Sequence, residues 1–426
     1  MSSSAYSSSP SSIAKKKTLK RSPKKRVTKR PPSASEIARN QHHFETWVSH
    51  QNLEEASWET DIPDDLKADV RGILDTKGKI PLTWIQQDLA LPRLATQEFV
   101  HWIKQVYEDQ PEMFSDRADL DAESEKALYA DLVIVLSAWR KLDVIQHSSS
   151  TEKWSEADYA ANVYSVLRGP AIRASNLRVQ CSLCLPEPTI PTISTEASRI
   201  LSTKSVIPDC VLLLPTPLLA PLTPQYKSLA RQTRISPLTT SSTRSTFRYQ
   251  ATPCIALSET PGFEFISSVW EDKQPNWKDG YRQNRMACAS VVRHLWALGQ
   301  VRTVVWGLVW CEGQVRVHVD WAAKGEDGKP IVQSAAYSTV PNEAFKVFDL
   351  SRPAHILEIY FLLRNIDQWT TGAFKERVTE SVMTLANKKG ETFVGWRRSE
   401  IAVKSSRKAK ENATSVCSTE VKKARK

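Results

Sequence analysis

A nearly continuous apolar run, VRTVVWGLVW at 301–310, limits the folds that are open to this chain. A run of this length and composition is typical of a strand that is buried on both faces, in the centre of a sheet. The next segment, VRVHVDW at 315–321, alternates apolar and polar residues, which predicts a half-buried strand. Together the two segments place a β-sheet at the centre of the molecule.

The segments before residue 301 indicate the fold class to which this sheet belongs. SEADYAANVYSVL at 155–167 predicts a short helix, and a second helix is expected over about 279–298. Between these helices lie three β-rich runs: LRVQCSLC, SVIPDCVLLL and FEFISSVWEDK. A helix, three strands, a helix and two strands in this order predict an α/β domain with a mixed sheet over 151–390.

The flanking segments carry other patterns. Residues 35–146 show apolar side chains at three- and four-residue spacing, which predicts an all-helical region whose packed helices have no chemistry of their own. Helices are also expected at about 353–368 and 371–387. The segment 215–261 contains seven prolines and a Ser/Thr-rich core, so we expect an irregular insertion between two adjacent strands.

The charge is distributed unevenly along the chain. The net charge is +11, yet residues 1–33 hold ten Lys/Arg and no acid, and residues 404–426 add a net +6, which leaves about −5 on the body. Segments this polar cannot bury enough apolar surface to become ordered, so 1–34 and 403–426 are expected to be disordered basic arms. Their clusters are of the nuclear-import type and favour a nuclear location and salt-sensitive contacts with phosphate.

The composition argues against several classes of protein. No run of 18 apolar residues exists, so no membrane span is expected, and the N-terminus lacks the apolar core of a secretory signal. Seven scattered cysteines favour a reducing compartment. With 13 glycines and no glycine-rich phosphate loop, a nucleotide-driven motor or kinase is disfavoured.

Four charged residues form an ordered set along the predicted domain. Asp209 follows Pro208 inside an apolar strand, where an unpaired carboxylate would be costly to bury. Glu271 and Lys273 stand at i and i+2 at the end of the next strand, so both side chains project from one face. Glu156 lies on the preceding helix. Each residue alone has an ordinary structural explanation, as a turn cap, an ion pair or a carboxylate at a helix N-terminus, but their order predicts a common site.

The segments SEADYAANVYSVL, IPDCVLLL and VWEDKQ resemble the motifs of the PD-(D/E)XK nuclease superfamily, in particular its fungal nuclease-like proteins. The resemblance covers roughly 151–325 and implies a restriction-endonuclease-like mixed sheet flanked by helices. The sequence departs from the family pattern in one respect. About 60 residues separate Asp209 from Glu271, and the insertion at 215–261 would account for that length.

The resemblance implies a nuclease that cleaves phosphodiester bonds in DNA with Mg²⁺ or Mn²⁺. Asp209 and Glu271 would then be oxygen ligands of the metal, and the backbone carbonyl of Asp272 would add a third. Lys273 would orient the attacking water and stabilise developing charge, while Glu156 would hold a second metal or a bound water. Three residues near the start of the next helix would contact the nucleic acid: Arg282, Gln283 and Arg285.

Two other functions stay open from the sequence alone. A nuclease-like module that has lost catalysis would bind nucleic acid or a protein partner through the same domain. The intact set of two carboxylates and a lysine favours the enzyme over this module. A structural or regulatory scaffold would dock a partner through the helices at 35–146, but no sequence feature specifies that partner.

Overall fold

A mixed sheet of eight strands forms the centre of the molecule. The computed structural model describes residues 30–86, 95–116, 121–147, 153–192, 194–235, 247–339, 344–388, 393 and 395–397. From Pro31 onward, the described chain belongs to one compact unit. We expect 1–34 and 403–426 to be disordered basic arms. Of these two segments, only residues 30–34 are among the described residues.

The described residues form twelve strands, which are spread along the chain. In chain order they are β1 (Leu53–Ala56), β2 (Ile80–Pro81), β3 (Phe114–Ser115), β4 (Asn176–Val179), β5 (Leu183–Cys184), β6 (Ser205–Val206), β7 (Cys210–Leu213), β8 (Ile266–Lys273), β9 (Val304–Cys311), β10 (Gln314–Lys324), β11 (Pro330–Ala336) and β12 (Phe348–Asp349). The main sheet has the order β1–β11–β10–β9–β8–β7–β4, with β12 paired to β10. Two neighbouring pairs, β8–β9 and β1–β11, are parallel, and the others are antiparallel.

Helices flank this sheet. They are α1 (Ala34–Arg39), α2 (Gln41–Gln51), α3 (Asp64–Leu74), α4 (Gln97–Asp109), α5 (Ala122–His147), α6 (Glu156–Tyr159), α7 (Ser165–Ala171), α8 (Thr195–Leu201), α9 (Thr216–Leu219), α10 (Thr223–Ile235), α11 (Phe247–Gln250), α12 (Trp277–Ala297), α13 (Pro353–Trp369) and α14 (Lys375–Asn387). A π-helical turn, Ala160–Tyr164, joins α6 to α7 without a break. No helix within the described ranges combines the length and the apolarity that a membrane span needs.

The apolar run at 301–310 forms β9, and its predicted central place in the sheet is confirmed. All eight residues of β9 are buried. The strand pairs in parallel with β8 on one side and antiparallel with β10 on the other. The α/β class with a mixed sheet is likewise confirmed, and the helices expected near 279–298, 353–368 and 371–387 correspond to α12, α13 and α14.

The alternating pattern of β10 predicts a half-buried strand, and that prediction is wrong. Arg316, His318 and Asp320, the polar face of β10, are all buried. They are covered because α12 packs over this face. Asn284 of α12 lies 2.8 Å from His318 Nε2, and Asp320 lies 2.7 Å from His318 Nδ1. Polar residues can thus line a covered face when they satisfy one another.

The segment 35–146, which the sequence predicts to be all-helical, contributes a strand to the main sheet. β1 pairs in parallel with β11, with Leu53 opposite Val332. Its four residues, LEEA, show neither an apolar run nor an alternation long enough to indicate a strand. β1 is therefore extended because it pairs with β11, and its own sequence does not predict this conformation. The segment 35–146 thus shares one sheet with the residues that follow it.

The insertion at 215–261 lies where it is expected, between the antiparallel neighbours β7 and β8. The prediction that it is irregular is wrong in part, because α9, α10 and α11 form within it. α10 packs on α14 near the end of the described chain. Residues 236–246 of the insertion lie outside the described ranges.

Gly307 of β9 occupies the tightest contact between the sheet and α12. A Cβ atom at this position would collide with the His318 ring and lie 2.6 Å from Asn284 Oδ1. We expect Gly307→Ala to lower the free energy of unfolding by about 1–3 kcal/mol, because overpacking displaces buried groups. Gly72→Ala in α3 is the matched control, since nothing lies within 4 Å of its Cβ position, and it should stabilise the helix by about 0.5–1 kcal/mol. Urea unfolding of both variants checks this, and equal stability of Gly307→Ala and wild type would contradict it.

Candidate metal centre

Three elements bring charged side chains to one point of the sheet. The antiparallel register of β7 and β8 places Asp209, the residue before β7, beside Glu271 near the end of β8. Lys273, two residues further along β8, projects from the same face as Glu271. The N-terminus of α6 brings Glu156 to the same place. The four residues that the sequence singles out for chemistry therefore lie together.

The ammonium group of Lys273 is the centre of the cluster. Its Nζ lies 2.8 Å from Glu271 Oε1, 3.7 Å from Glu156 Oε1 and 3.9 Å from Asp209 Oδ2. Burial disfavours this ammonium, but the carboxylates around it, Glu271 foremost, outweigh burial and raise its pKa. Lys273 consequently stays protonated and acts as a cation and hydrogen-bond donor.

The cluster is closed at one end and open at the other. The Glu271 side chain is 0% exposed, whereas those of Asp209 and Glu156 are 29% and 39% exposed. Lys273, at 21%, lies between these extremes. A ligand would therefore approach from the side of Glu156 and Asp209 and find Glu271 at the bottom of the site.

Glu271 is a fully buried carboxylate whose charge is compensated chiefly by one ammonium. Lys273 Nζ lies 2.8 Å from Oε1, whereas Oε2 has no hydrogen-bond partner among the described residues. Burial raises the pKa of Glu271 well above its ordinary value, and the Lys273 ammonium opposes that rise. A buried carboxylate with one unpaired oxygen calls for an explanation, and a bound cation is one.

The other two carboxylates are oriented by backbone groups. The N–H of Asp272 donates to Asp209 Oδ2 at 2.8 Å. Glu156 is the first residue of α6, which Ser155 caps in a reciprocal capping box with Asp158. Burial raises the pKa of both the Asp209 and the Glu156 carboxyl groups, while Lys273 acts in the opposite sense.

Asp272 presents its backbone, and not its side chain, to this cluster. Its carboxylate points away and makes two hydrogen bonds to the Arg168 guanidinium, at 3.0 and 2.5 Å. Its carbonyl oxygen instead lies 3.1 Å from Lys273 Nζ, on the side of the cluster. The carbonyl of Asp272 therefore faces the cluster, and its carboxylate faces Arg168.

The assignment of Arg282, Gln283 and Arg285 to nucleic-acid contacts does not fit their positions. Arg285 is 1% exposed and forms an ion pair with Glu55 of β1. Gln283 is also buried, and its side-chain oxygen accepts a hydrogen bond from Ser35 at 2.8 Å.

Arg282 is likewise engaged within the protein. It donates to the carbonyl of Ala38 at 3.1 Å and lies 3.6 Å from Asp279. The assignment is therefore wrong for the two buried residues, and Arg282 is held by α1. The reason is that α1 and β1 cover this part of α12, which no pattern within the helix itself reveals.

The donor set of the cluster suits a hard divalent cation. Three carboxylates and one ammonium leave a net charge of −2, and every candidate ligand atom is an oxygen. Carboxylate and carbonyl oxygens are the ligands that Mg²⁺ and Mn²⁺ prefer. A cation would complete the compensation of the Glu271 carboxylate, whose Oε2 has no hydrogen-bond partner among the described residues. The residues present therefore fit such an ion.

A second group of potential ligands consists of Cys288, His318 and Asp320. Their ligand atoms lie within 4.8 Å of one another, and all three residues are buried. Both ring nitrogens of His318 are already hydrogen-bonded, to Asp320 and to Asn284. We interpret the group as a polar network that joins α12 to β10. The alternation of Arg316, His318 and Asp320 along the sequence places their side chains on one face of β10, but it does not indicate that another element covers this face.

A cavity of about 580 Å³ lies elsewhere and is lined by residues including Arg293, Trp296 and Trp396. None of the four clustered residues lines this cavity. The candidate metal centre lies instead at the ends of strands, near the start of β7 and the end of β8.

Comparison with known proteins adds no assignment: no family model matches the chain, and no curated protein matches it.

Proposed function

We propose that this protein is a divalent-metal-dependent phosphodiester hydrolase that acts on DNA. The observation that carries the proposal is the position of Lys273 Nζ, which lies within 4 Å of oxygens from Glu271, Glu156 and Asp209. These residues come from three separate elements, so their meeting is a property of the fold. The order of the elements supports a restriction-endonuclease-like fold of the PD-(D/E)XK type.

Each side chain has a role in the proposed reaction. Asp209, Glu271 and the carbonyl of Asp272 would hold Mg²⁺ or Mn²⁺. When bound, the cation polarises the phosphate ester and makes water a better nucleophile. Lys273, which keeps its proton, donates a hydrogen bond to the charge that develops on the phosphate oxygens. Glu156 is partly exposed, and burial raises its pKa, so its carboxylate is suited to accept a proton from the attacking water.

A DNA substrate is favoured by the distribution of charge. The body carries about −5, so the folded part alone would not attract a polyanion. The arms at 1–33 and 404–426 carry eighteen Lys/Arg between them and would supply the salt-dependent contacts with phosphate. Their basic clusters also favour the nucleus, where such a substrate is present.

The full-length protein is expected to nick and then linearise supercoiled plasmid DNA when Mg²⁺ or Mn²⁺ is present, and to lose this activity in EDTA. Asp209→Asn, purified in parallel, should be inactive and controls for contaminating nucleases. Asp327→Asn, which alters an exposed carboxylate in a turn, should cleave like wild type.

Absence of cleavage on duplex DNA, single-stranded DNA and RNA alike would contradict the enzymatic proposal. If the protein then still binds DNA while calorimetry detects no Mg²⁺ or Mn²⁺ binding, the nuclease-like binding module takes its place. The two functions are thus separated by metal titration and cleavage together.

A further inference from the structure

Arg168, on α7, is a buried arginine whose guanidinium is held on several sides. Its side chain is 3% exposed and makes two hydrogen bonds to the carboxylate of Asp272. The guanidinium carbon also lies 4.3 Å from the ring centroid of Trp310 and 5.1 Å from that of Trp270. The planar group is therefore fixed in both position and orientation.

An ion pair this deeply buried is not explained by stability. Desolvation of two charges offsets most of their attraction, so apolar residues of similar volume often serve a core equally well. A bidentate pair does, however, fix geometry, because the guanidinium fork donates two parallel hydrogen bonds to a carboxylate in one plane. The pair Arg168–Asp272 thus sets the direction of the Asp272 side chain and, with it, of the backbone that carries it.

The backbone of Asp272 touches two members of the candidate metal centre. Its N–H donates to Asp209 Oδ2 at 2.8 Å, and its carbonyl accepts from Lys273 Nζ at 3.1 Å. Asp272 also lies between Glu271 and Lys273 in the sequence. A rotation of this one residue would disturb the hydrogen bond to Asp209 and the direction of the carbonyl at the same time.

Arg168 also belongs to the helix that carries Glu156. That helix runs without a break from α6 through the π-helical turn Ala160–Tyr164 into α7. π-helical turns occur frequently at functional sites. The pair Arg168–Asp272 therefore ties the helix of Glu156 to the strand of Glu271 and Lys273, and so fixes the separation between them.

We propose that Arg168 is a positioning residue of the metal centre, which acts through Asp272 to hold the ligand atoms in place. The part of this proposal that concerns metal affinity rests on the proposed function. The part that concerns the backbone of Asp272 does not, and it can be measured in the metal-free protein.

The test uses the full-length protein labelled with ¹⁵N-aspartate and compares two variants with a matched control. Arg168→Met removes the guanidinium, and Arg168→Lys keeps the charge but loses the fork. Arg285→Met is the control, because Arg285 is also a buried arginine in ion pairs, but its partners, Glu55 and Asp320, are not members of the metal centre. Asp209→Ala shows how the amide signal of Asp272 moves when its acceptor is removed.

Both Arg168 variants are expected to move the Asp272 amide signal in the direction seen for Asp209→Ala, and Arg285→Met to leave it unchanged. Calorimetry should show Mn²⁺ affinity at least about tenfold weaker in Arg168→Met and Arg168→Lys, as for other residues that orient metal ligands. The retained charge in Arg168→Lys separates positioning from simple electrostatics, because an electrostatic role would leave that variant like wild type.

An unchanged Asp272 signal in folded Arg168→Met overturns the proposal, and so does a shifted signal with wild-type Mn²⁺ affinity. If wild type itself binds no metal, the proposed function fails, while the amide signal still decides whether Arg168 orients Asp272. Should Arg168→Met not fold, Asp272→Asn replaces it. This variant keeps the shape of the side chain, weakens the fork, and is expected to lower Mn²⁺ affinity in the same way.

Discussion

Lys273→Met is expected to abolish DNA cleavage while the protein binds Mn²⁺ at least as tightly as wild type. The Lys273 ammonium lies among three carboxylates, so its removal takes away repulsion toward a metal ion. The same change removes the donor for charge that develops on the phosphate, and loss of one such donor costs about 10²–10³-fold in rate. Single-turnover cleavage of a labelled duplex at saturating Mn²⁺, together with calorimetry, measures both effects.

Lys346→Met is the matched control for this variant. Lys346 forms an ion pair with Glu358 at 2.7 Å, close to the 2.8 Å between Lys273 and Glu271, and its side chain has almost the same exposure. The control should cleave like wild type even if its stability falls. Cleavage by Lys273→Met at more than about a tenth of the wild-type rate would be incompatible with the role proposed for this lysine.

Glu271→Gln is expected to weaken Mn²⁺ binding by at least about a hundredfold, because it neutralises a ligand and not merely a residue that orients one. The amide keeps the size of the side chain, so the loss would reflect charge and not a cavity. Calorimetry and the rise in unfolding temperature on adding Mn²⁺ both report the change. Glu358→Gln, the matched control, should retain wild-type affinity.

The same variant has a second expected effect, on the pH dependence of stability. The pKa of Glu271 is raised in the folded protein above its ordinary value of 4.5. The folded state therefore binds this proton more tightly than the unfolded state does, and its stabilisation is lost as the pH rises through the raised pKa. In EDTA, the unfolding temperature of wild type should fall as the pH is raised above about 4.5, and Mn²⁺ should reverse that fall.

Glu271→Gln should show a weaker pH dependence, because residue 271 no longer titrates. Asp209 and Glu156, whose pKa values are also raised by burial, account for the pH dependence of stability that this variant retains. If metal-free wild type and Glu271→Gln respond to pH identically, Glu271 does not carry the buried charge that we assign to it.

The sequence allows prediction of the elements whose side chains keep a simple period. The apolar run of β9, the Pro-Asp before β7 and the Glu-x-Lys at the end of β8 all lie within their own segments, so local spacing is enough to place them. Their meeting follows because β7 and β8 are antiparallel neighbours. Ser155 and Asp158 give the start of α6 in the same local way.

The features that could not be predicted depend on which elements of the chain pack over one another. Arg285 and Gln283 look like exposed polar residues of a helix, but they bond to residues more than two hundred positions earlier, in β1 and α1. Arg168 stands within SVLRGPA, where a charged residue among apolar ones is the only sign of its buried partner. Period and composition describe one element at a time, so contacts at this separation leave no local pattern.

The contribution of β1 to the sheet has a consequence for truncated forms of the protein. A chain that begins at residue 151 keeps all four clustered residues, yet β11 then loses its outer neighbour and presents unpaired backbone groups to solvent. Exposed strands of this kind recruit other chains and promote aggregation. Arg285 would also lose its partner Glu55 and the cover that α1 and β1 provide. The first third of the chain is thus an integral part of the folded sheet, and insolubility of a shortened form would say nothing against its chemistry.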